Sequence, residues 1–396
     1  MRELVIRKER VHTLLRRHPW IYSGAVRNLD EKFTPGEIVR IVDPAGNFLA
    51  AGSVTTERSR IFAKVWSFTQ EEIGEEFFRR KLQEALQYRK NVFGGTLPEA
   101  FRLVHAESDN LPGLIVDIFQ SFAVLQITSG SMEGREMMIA HLLMEELSLE
   151  GVYERSDVES RTLEGLENRC RLLAGKEPPP LFTFRENGIL FTADPREGHK
   201  TGFYLDQRIN RLRVMEAAKG CKNVLNCFSY TGGFGLAALK GGAGQVLNID
   251  SSLPALERAK ENAALNNFSP EAFQTECADV FAYLRSCRDA RKTFDMIILD
   301  PPKFAESMAK KEKAARAYKD INLLAIKLLN PGGRLFTYSC SGAMDQELFR
   351  KVLYAAALDA KRDLRIAALL TQAPDHPVSI YFPEGAYLKG FYSIVF

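Results

Sequence analysis

No run in this 396-residue chain approaches the roughly 20 consecutive apolar residues that cross a bilayer as a helix, so a membrane-spanning helix is not expected. The N-terminus carries Arg2, Arg7, Lys8 and Arg10 but lacks the apolar run that a secretory signal places after such charges. The expected location is therefore the cytoplasm. Cysteine is sparse: the six residues at 170, 221, 227, 277, 287 and 340 include no Cys-x-x-Cys pair and no Cys/His ligand cluster. That excludes a disulfide framework and a structural zinc site, and no metal is expected. Most of these cysteines are expected to be small buried hydrophobes in a reducing compartment. Internal repeats and low-complexity tracts are also missing, which excludes solenoids and disordered tails.

What is present is an ordinary globular mix, 45% hydrophobic and 26% charged. At about 100–200 residues per domain, the length allows two or three domains. The formal net charge is +3, unevenly spread: residues 1–70 hold twelve Lys/Arg against seven Asp/Glu, so the remainder is slightly acidic. A basic segment on a near-neutral body points to a local anionic partner, because phosphate attraction scales with clustered positive charge. A solvated face without a partner has the same composition.

Residues 1–70 read as short strands, 4–6, 37–42 and 60–66, punctuated by Pro35-Gly36 and Pro44-Ala45-Gly46-Asn47; a small β-barrel is the expected shape. Phe77, Phe78, Leu82, Ala85 and Leu86 share one face of a helix over 71–91. Strands at 100–105 and 114–119 flank a turn, Glu107 to Gly113, with hairpin chemistry. A further strand is expected at 121–127 and a helix at 131–147. Pro178-Pro179-Pro180 marks a stiff connection. From residue 221 apolar strands (224–228, 245–250, 272–277, 294–300, 333–340 and 364–370) alternate with amphipathic helices such as 253–266 and 312–329, and a last strand follows 385. That alternation predicts βαβ units on a parallel sheet, with ligands outside the carboxyl ends of the strands.

The first of these strands ends in Asn226-Cys227-Phe228-Ser229-Tyr230-Thr231-Gly232-Gly233-Phe234-Gly235. Three glycines in four residues let the backbone turn tightly beside a ligand. The second ends at Asp250, placed to accept both hydroxyls of a ribose. The third gives Asp279-Val280, a carboxylate and an apolar side chain suited to the amino group and face of an adenine. The loop is neither Gly-x-Gly-x-x-Gly nor Gly-x-x-x-x-Gly-Lys-Ser/Thr, which disfavours a dinucleotide or a nucleoside triphosphate. An adenosine cofactor without phosphate, S-adenosyl-L-methionine, fits better; a glycine-rich turn in any α/β domain is the plain structural alternative. Its expected contacts are Phe228, Thr231, Gly232, Gly233, Phe234, Asp250, Ser251, Asp279 and Val280.

The fourth strand ends in Asp300-Pro301-Pro302-Lys303-Phe304. Two prolines fix the backbone and can hold Asp300 at the rim where a planar base enters, with Phe304 available to stack. A plain strand-to-loop stop has the same sequence. The fifth ends in Tyr338-Ser339-Cys340-Ser341-Gly342, which puts Cys340 at the catalytic edge, where a thiolate is a strong nucleophile. Inert, buried thiols are expected at 170, 221, 277 and 287, and Cys227 is expected to pack rather than react.

Taken together these motifs resemble the ribosomal RNA large-subunit methyltransferase I family, class I S-adenosylmethionine-dependent enzymes that make 5-methylcytosine. The resemblance covers nearly the whole chain. His18-Pro19-Trp20-Ile21-Tyr22-Ser23-Gly24 looks like the start of a PUA domain, an RNA-binding barrel. Glu107 to Asp117 is similar to the family's central hairpin. Gly198-His199-Lys200-Thr201-Gly202-Phe203-Tyr204-Leu205-Asp206-Gln207-Arg208 looks like the segment that helps enclose the cofactor. Asp375-His376-Pro377-Val378 and Phe382-Pro383-Glu384-Gly385 resemble the C-terminal signature. The resemblance implies an α/β chain with a PUA-like RNA-binding domain at 1–70, a central α+β domain at 71–190 and a Rossmann-like methyltransferase domain at 191–396. It adds Lys200 and Tyr204 to the cofactor contacts and assigns Arg16, Arg17, Lys303 and Phe304 to RNA, expected to be ribosomal RNA; a homodimer is compatible with it.

C5 of a pyrimidine is a poor nucleophile until a thiolate adds to C6. Cys340 is the candidate for that attack, Asp300 for the hydrogen bond to the N3 or N4 edge, and Asp375 or His376 for removal of the C5 proton; a loop stop before Pro377 accounts equally for the last two. Cytosine-5 enzymes with two cysteines place one in the fourth-strand motif, which here has none, and Tyr-Ser-Cys-Ser is more like the nucleophile position of 5-methyluridine enzymes. Uridine therefore stays open, as do amino-group methylation of adenine or guanine, which needs no cysteine, and an RNA-binding protein without catalysis. A nicotinamide dehydrogenase is disfavoured by the glycine loop.

Overall fold

The computed structural model describes residues 1–304 and 311–396. The chain forms two compact units: Met1–Phe184 with Thr192–Leu205 and Pro374–Gly385, and Arg185–Phe191 with Asp206–Ala373 and Ala386–Phe396. Segments 192–205 and 374–385 thus group with the N-terminal part of the chain, whereas the sequence-based division ran continuously from 191 to 396.

The first unit opens with β1 (Arg2–Val5), α1 (Val11–Leu15), β2 (Trp20–Tyr22), β3 (Ile38–Val42), β4 (Phe48–Val54) and β5 (Ile61–Ser67), a five-stranded sheet in the order β1-β3-β4-β5-β2. Side chains alternate across each strand: Val39 and Ile41 point into a core with Leu4, Ile21, Ala63 and Val65. Helix α2 (Glu75–Val92) buries Phe77, Phe78, Leu82 and Ala85 on one face. There follow β6 (Ala100–His105), β7 (Leu114–Phe119), β8 (Phe122–Ile127), α3 (Glu136–Leu147), β9 (Gly151–Ser156), α4 (Glu159–Glu164) and β10 (Arg169–Gly175). The second sheet runs β10-β9-β8-β7-β6 and is antiparallel except for β8 beside β9. The β6–β7 turn needs left-handed backbone at Asn110 (φ 57°) and Gly113 (φ 85°), as its Asp-Asn…Gly sequence predicts. A short hairpin, β11 (Phe182–Glu186) and β12 (Ile189–Ala193), turns through Asn187-Gly188, both at positive φ.

The second unit is built from α5 (Arg208–Ala217), β13 (Asn223–Cys227), α6 (Gly233–Lys240), β14 (Gln245–Asp250), α7 (Leu253–Leu265), β15 (Phe273–Cys277), α8 (Val280–Asp289), β16 (Phe294–Leu299), α9 (Lys311–Leu328), β17 (Leu329–Ser339), α10 (Gln346–Ala360), β18 (Leu364–Leu370) and β19 (Lys389–Val395). The sheet order is β15-β14-β13-β16-β17-β19-β18. The five strands β13 to β17 are mutually parallel, and β19 inserts antiparallel between β17 and β18. The sheet is therefore mixed at one edge, where the strand alternation alone predicted a parallel sheet. Central strands such as β16, buried at five of six positions, read as continuous apolar runs because both faces are covered. Strand order reverses between β13 and β16, which opens the crevice at the carboxyl edge where ligands of such sheets sit.

Candidate active site

Three neighbouring strands, β13, β16 and β17, deliver the expected chemistry to one edge. Cys227 pairs with Leu299, and Leu299 with Thr337. The glycine loop, Asp300 and Cys340 therefore leave adjacent strand ends in a row.

The loop after β13 is strained where it turns. Phe228 (φ 57°) and Tyr230 (φ 47°) both adopt left-handed backbone, which costs bulky residues free energy and persists where surrounding contacts enforce it. Those contacts are visible. Ser229 N–H donates to the Ile249 carbonyl (3.0 Å), Gly232 N–H to the Ser229 carbonyl (2.8 Å), and Tyr230 N–H to Asp250 Oδ2 (2.8 Å). Asp250 Oδ1 accepts from Ser252 N–H (2.9 Å), so the half-buried carboxylate is held in one orientation at the end of β14. Gly232 (φ 80°) precedes α6, and a Cβ there would meet Phe273 and Ala259 at 2.7 and 3.0 Å. This cradle of close backbone and one fixed carboxylate fits a ribose-bearing ligand.

The other expected cofactor residues divide. Thr231 and Phe234 are buried, and the Phe234 ring stacks on Tyr338 (5.4 Å, 19°). Ser251 is exposed. Asp279 is exposed and caps α8 through Oδ1, which accepts from Ala282 N–H at 2.8 Å; Val280 belongs to the core. Lys200 and Tyr204 lie in the first unit, the Lys200 ammonium 4.4 Å from the Tyr204 ring centroid and the Tyr204 hydroxyl 3.2 Å from His199 Nδ1.

Asp300 is held by Gln207, from the segment similar to the family's cofactor-enclosing stretch, and through it by Asn210, on which no expectation rested. Gln207 Nε2 donates to Asp300 Oδ2 (2.9 Å). Asn210 Nδ2 donates both to Gln207 Oε1 (2.5 Å) and to the Thr371 carbonyl (3.0 Å). The backbone carbonyl fixes the Asn210 amide, Asn210 fixes the Gln207 amide, and Gln207 then makes Oδ2 of Asp300 an acceptor. Lys303 is exposed, while Phe304 is half-buried among Phe228, Phe281 and Tyr318, at centroid distances of 6.3, 5.8 and 4.8 Å.

Cys340 is partly accessible; Cys221, Cys227 and Cys287 are buried, and burial pushes their thiols up and away from thiolate. Cys170 and Cys277 were expected to be buried and are exposed, because they sit on β10 and β15, the edge strands of their sheets. The residues flanking Cys340 are anchored. Ser341 accepts at its carbonyl from Met344 N–H (3.1 Å) and Lys389 Nζ (2.9 Å), and its hydroxyl meets the Tyr318 hydroxyl at 3.2 Å. Burial pushes the Tyr318 phenol up to about 12.

In the first unit, His376 is buried with Nδ1 3.0 Å from Asp375 Oδ1, and Asp375 Oδ2 accepts from Arg102 N–H at 3.0 Å. A carboxylate on Nδ1 fixes the tautomer of an imidazole. Arg16 and Arg17 are exposed, with the Arg17 guanidinium over the rings of Phe68 and Tyr381.

Residues 158–377 match the S-adenosylmethionine-dependent methyltransferase family and residues 4–68 a PUA-like domain. The fold and cofactor cradle are thus those of a Rossmann-like S-adenosylmethionine-dependent methyltransferase carrying an N-terminal PUA-like domain, and its cofactor is S-adenosylmethionine. The chain is 47% identical over 386 residues to the ribosomal RNA large subunit methyltransferase I of Vibrio parahaemolyticus, covering 97% of each chain. It is 48% identical over 387 residues to the protein of the same name from Tolumonas auensis, again covering 97% of each. It belongs to the ribosomal RNA large subunit methyltransferase I family. The crystal structure of SMU.776 complexed with SAH superposes over 100% of both chains with a TM-score of 0.86 at 23% identity, which shows the shared fold. Among the described residues no helix is long and apolar enough to cross a membrane.

Proposed function

We propose that this protein methylates C5 of a cytosine in large-subunit ribosomal RNA, in the cytoplasm, through a covalent adduct at Cys340. The observation that carries the reading is the adjacency of β13, β16 and β17, which sets the cofactor loop, an oriented carboxylate and the half-exposed thiol on successive strand ends. The named relatives support ribosomal RNA as the substrate.

S-adenosylmethionine supplies an electrophilic methyl on a sulfonium. Phe228, Thr231, Gly232, Gly233, Phe234, Asp250, Ser251, Asp279, Val280, Lys200 and Tyr204 are assigned to holding it, with Asp250 taking the ribose hydroxyls. The Cys340 thiolate adds to C6 and forms a C–S bond. The electron pair of the C5–C6 double bond shifts to C4–C5 while the C4–N3 pair moves onto N3, which makes C5 enamine-like and nucleophilic. After C5 is methylated it loses its proton, the double bond reforms and the thiolate leaves. His376 is the residue assigned to that proton, on the ground that Asp375 fixes its tautomer. Asp300 favours cytosine over uracil. Gln207 keeps it an acceptor, which suits the N4–H of cytosine, whereas uracil presents an oxygen at that edge. Arg16, Arg17, Lys303 and Phe304 are assigned to RNA.

Two measurements test this. Cys340→Ala abolishes methyl transfer while S-adenosylhomocysteine still binds by calorimetry; full activity in that variant ends the covalent mechanism and favours amino-group methylation. Nucleoside mass spectrometry of ribosomal RNA from cells with and without the gene shows loss of 5-methylcytosine; loss of 5-methyluridine or a methylated purine instead refutes the assignment of the base.

A further inference from the structure

The antiparallel strand β19 begins with a lysine whose surroundings are unusual for that side chain. Lys389 pairs in register with Ser339, the residue before Cys340. Its side chain turns inward and is buried, 9% exposed. Nζ donates to the carbonyl of Ser341, the residue after Cys340, at 2.9 Å, and to the Tyr387 carbonyl at 2.8 Å. One residue thus grips both flanks of the nucleophile, through backbone pairing on one side and an ammonium hydrogen bond on the other.

Two carbonyls satisfy N–H groups but neutralise no charge, and a buried ammonium is costly unless an anion faces it. The titratable neighbours are few. Burial acts most strongly and lowers the Lys389 ammonium below the ordinary lysine value; Cys340 and Asp345, the latter at the start of α10, offset part of this by favouring the charged form, and Lys303, after β16, adds to the lowering. Asp345 is exposed, and its Oδ1 already accepts from Leu348 N–H as the cap of α10. Tyr318, from α9, faces Cys340 and stays neutral because burial raises its phenol. The anion that this arrangement most directly serves is a thiolate at 340.

We propose that Lys389 is the positioning residue of the nucleophile: its ammonium anchors the Cys340 loop and supplies the positive charge that stabilises the Cys340 thiolate. This rests on the covalent role of Cys340 proposed above. The thiol loses its proton to solvent, Lys389 enters the step as its ammonium, and that positive charge beside the loop favours the sulfur as an anion before it forms the bond to C6. Coulombic stabilisation is mutual, so an interaction that favours the ammonium favours the thiolate equally.

The test reads the thiol directly, without relying on turnover. In the full-length protein, alkylation of Cys340 by iodoacetamide is followed by peptide mass spectrometry as pH is raised through the thiol range, about 6 to 10. Lys389→Gln keeps a donor for the Ser341 carbonyl but removes the charge; Lys389→Met removes both; Lys389→Arg keeps the charge. S-adenosylhomocysteine calorimetry establishes that each variant is folded. The alkylation midpoint is expected to rise by about one pH unit or more in the Gln and Met variants and to stay near the parent value in the Arg variant. Methylation by the Gln variant is expected to recover as pH rises, through kcat rather than KM. A midpoint in the folded Gln variant equal to that of the parent protein overturns the proposal, as does activity lost equally at every pH. Cys340→Ala with full activity would instead remove the covalent reading and leave the alkylation shift standing, so the two failures are distinguishable.

Discussion

Gly235 in α6 lies directly against Asn248 in β14: a Cβ on Gly235 would sit 2.2 Å from Asn248 Oδ1. Asn248 cannot retreat. It is fully buried, accepts from Asn226 Nδ2 at 2.9 Å and donates to the Gln274 carbonyl at 3.0 Å. Gly235→Ala gains about 1 kcal/mol of helix propensity but overpacks a site where each extra methyl costs about 1–3 kcal/mol and shifts backbone. The first turn of α6 must move, and the glycine loop with it. The expected outcome is a lower urea midpoint and at least tenfold weaker binding of S-adenosylhomocysteine. A variant with unchanged midpoint and affinity would mean that the contact between helix and strand carries no weight in shaping the loop.

That contact also marks what the sequence discloses and what it hides. The alternating strands and helices of the second unit were legible because β-branched and aliphatic runs are bounded by Gly, Pro and Asp; β14 (Gln245–Asp250) and β7 (Leu114–Phe119) have the bounds expected of them. Asp250, Asp300 and Cys340 were legible because each ends an apolar strand. Residues that act through long-range pairing were not. Lys389 reads as an ordinary start to a strand until β19 is seen to insert beside β17. Gln207 reads only as part of the segment similar to the family's cofactor-enclosing stretch, and Asn210 carries no reading, until the Gln207 amide is traced to Asp300 and the Asn210 amide to Gln207. Phe304 reads as a free platform for a base, yet three rings surround it, since local sequence carries no record of what packs across the sheet.

The amide relay makes a prediction about base choice. Gln207→Leu has nearly the same volume and removes the donor to Asp300 Oδ2 together with the oxygen that accepts from Asn210 Nδ2. Loss of a hydrogen bond to a charged group costs about 1.5–3 kcal/mol, so kcat/KM is expected to fall roughly 10- to 100-fold with cofactor affinity retained. Because Gln207 then no longer orients Oδ2 of Asp300 as an acceptor, discrimination between cytosine and uracil at the target position should weaken. Methylation assays on matched transcripts carrying C or U at that position measure the ratio. An unchanged ratio with normal kcat/KM would detach the relay from recognition.

In the first unit, Glu107 Oε1 accepts from both Lys64 Nζ and Trp20 Nε1 at 2.9 Å, and all but the indole are nearly excluded from solvent. Burial alone would raise the Glu107 carboxyl, but Lys64 and Trp20 outweigh it and hold the group below the ordinary glutamate range. The unfolded chain therefore takes up this proton at a higher pH than the folded one. The contribution of Glu107 is complete above the unfolded glutamate value of about 4.3 and is lost as pH falls through the lower folded value. Glu107→Gln leaves the Lys64 ammonium buried without its counter-charge, which costs about 3–5 kcal/mol. Urea unfolding followed by Trp fluorescence at neutral pH should register that loss. Between about pH 5 and 3 the variant should also show a flatter decline in stability than the parent, because it has no carboxyl at 107 left to protonate. A variant within about 0.5 kcal/mol of the parent at neutral pH, the range of a surface change, would mean that Lys64 finds water or another acceptor and that the Glu107 turn is not clamped by charge.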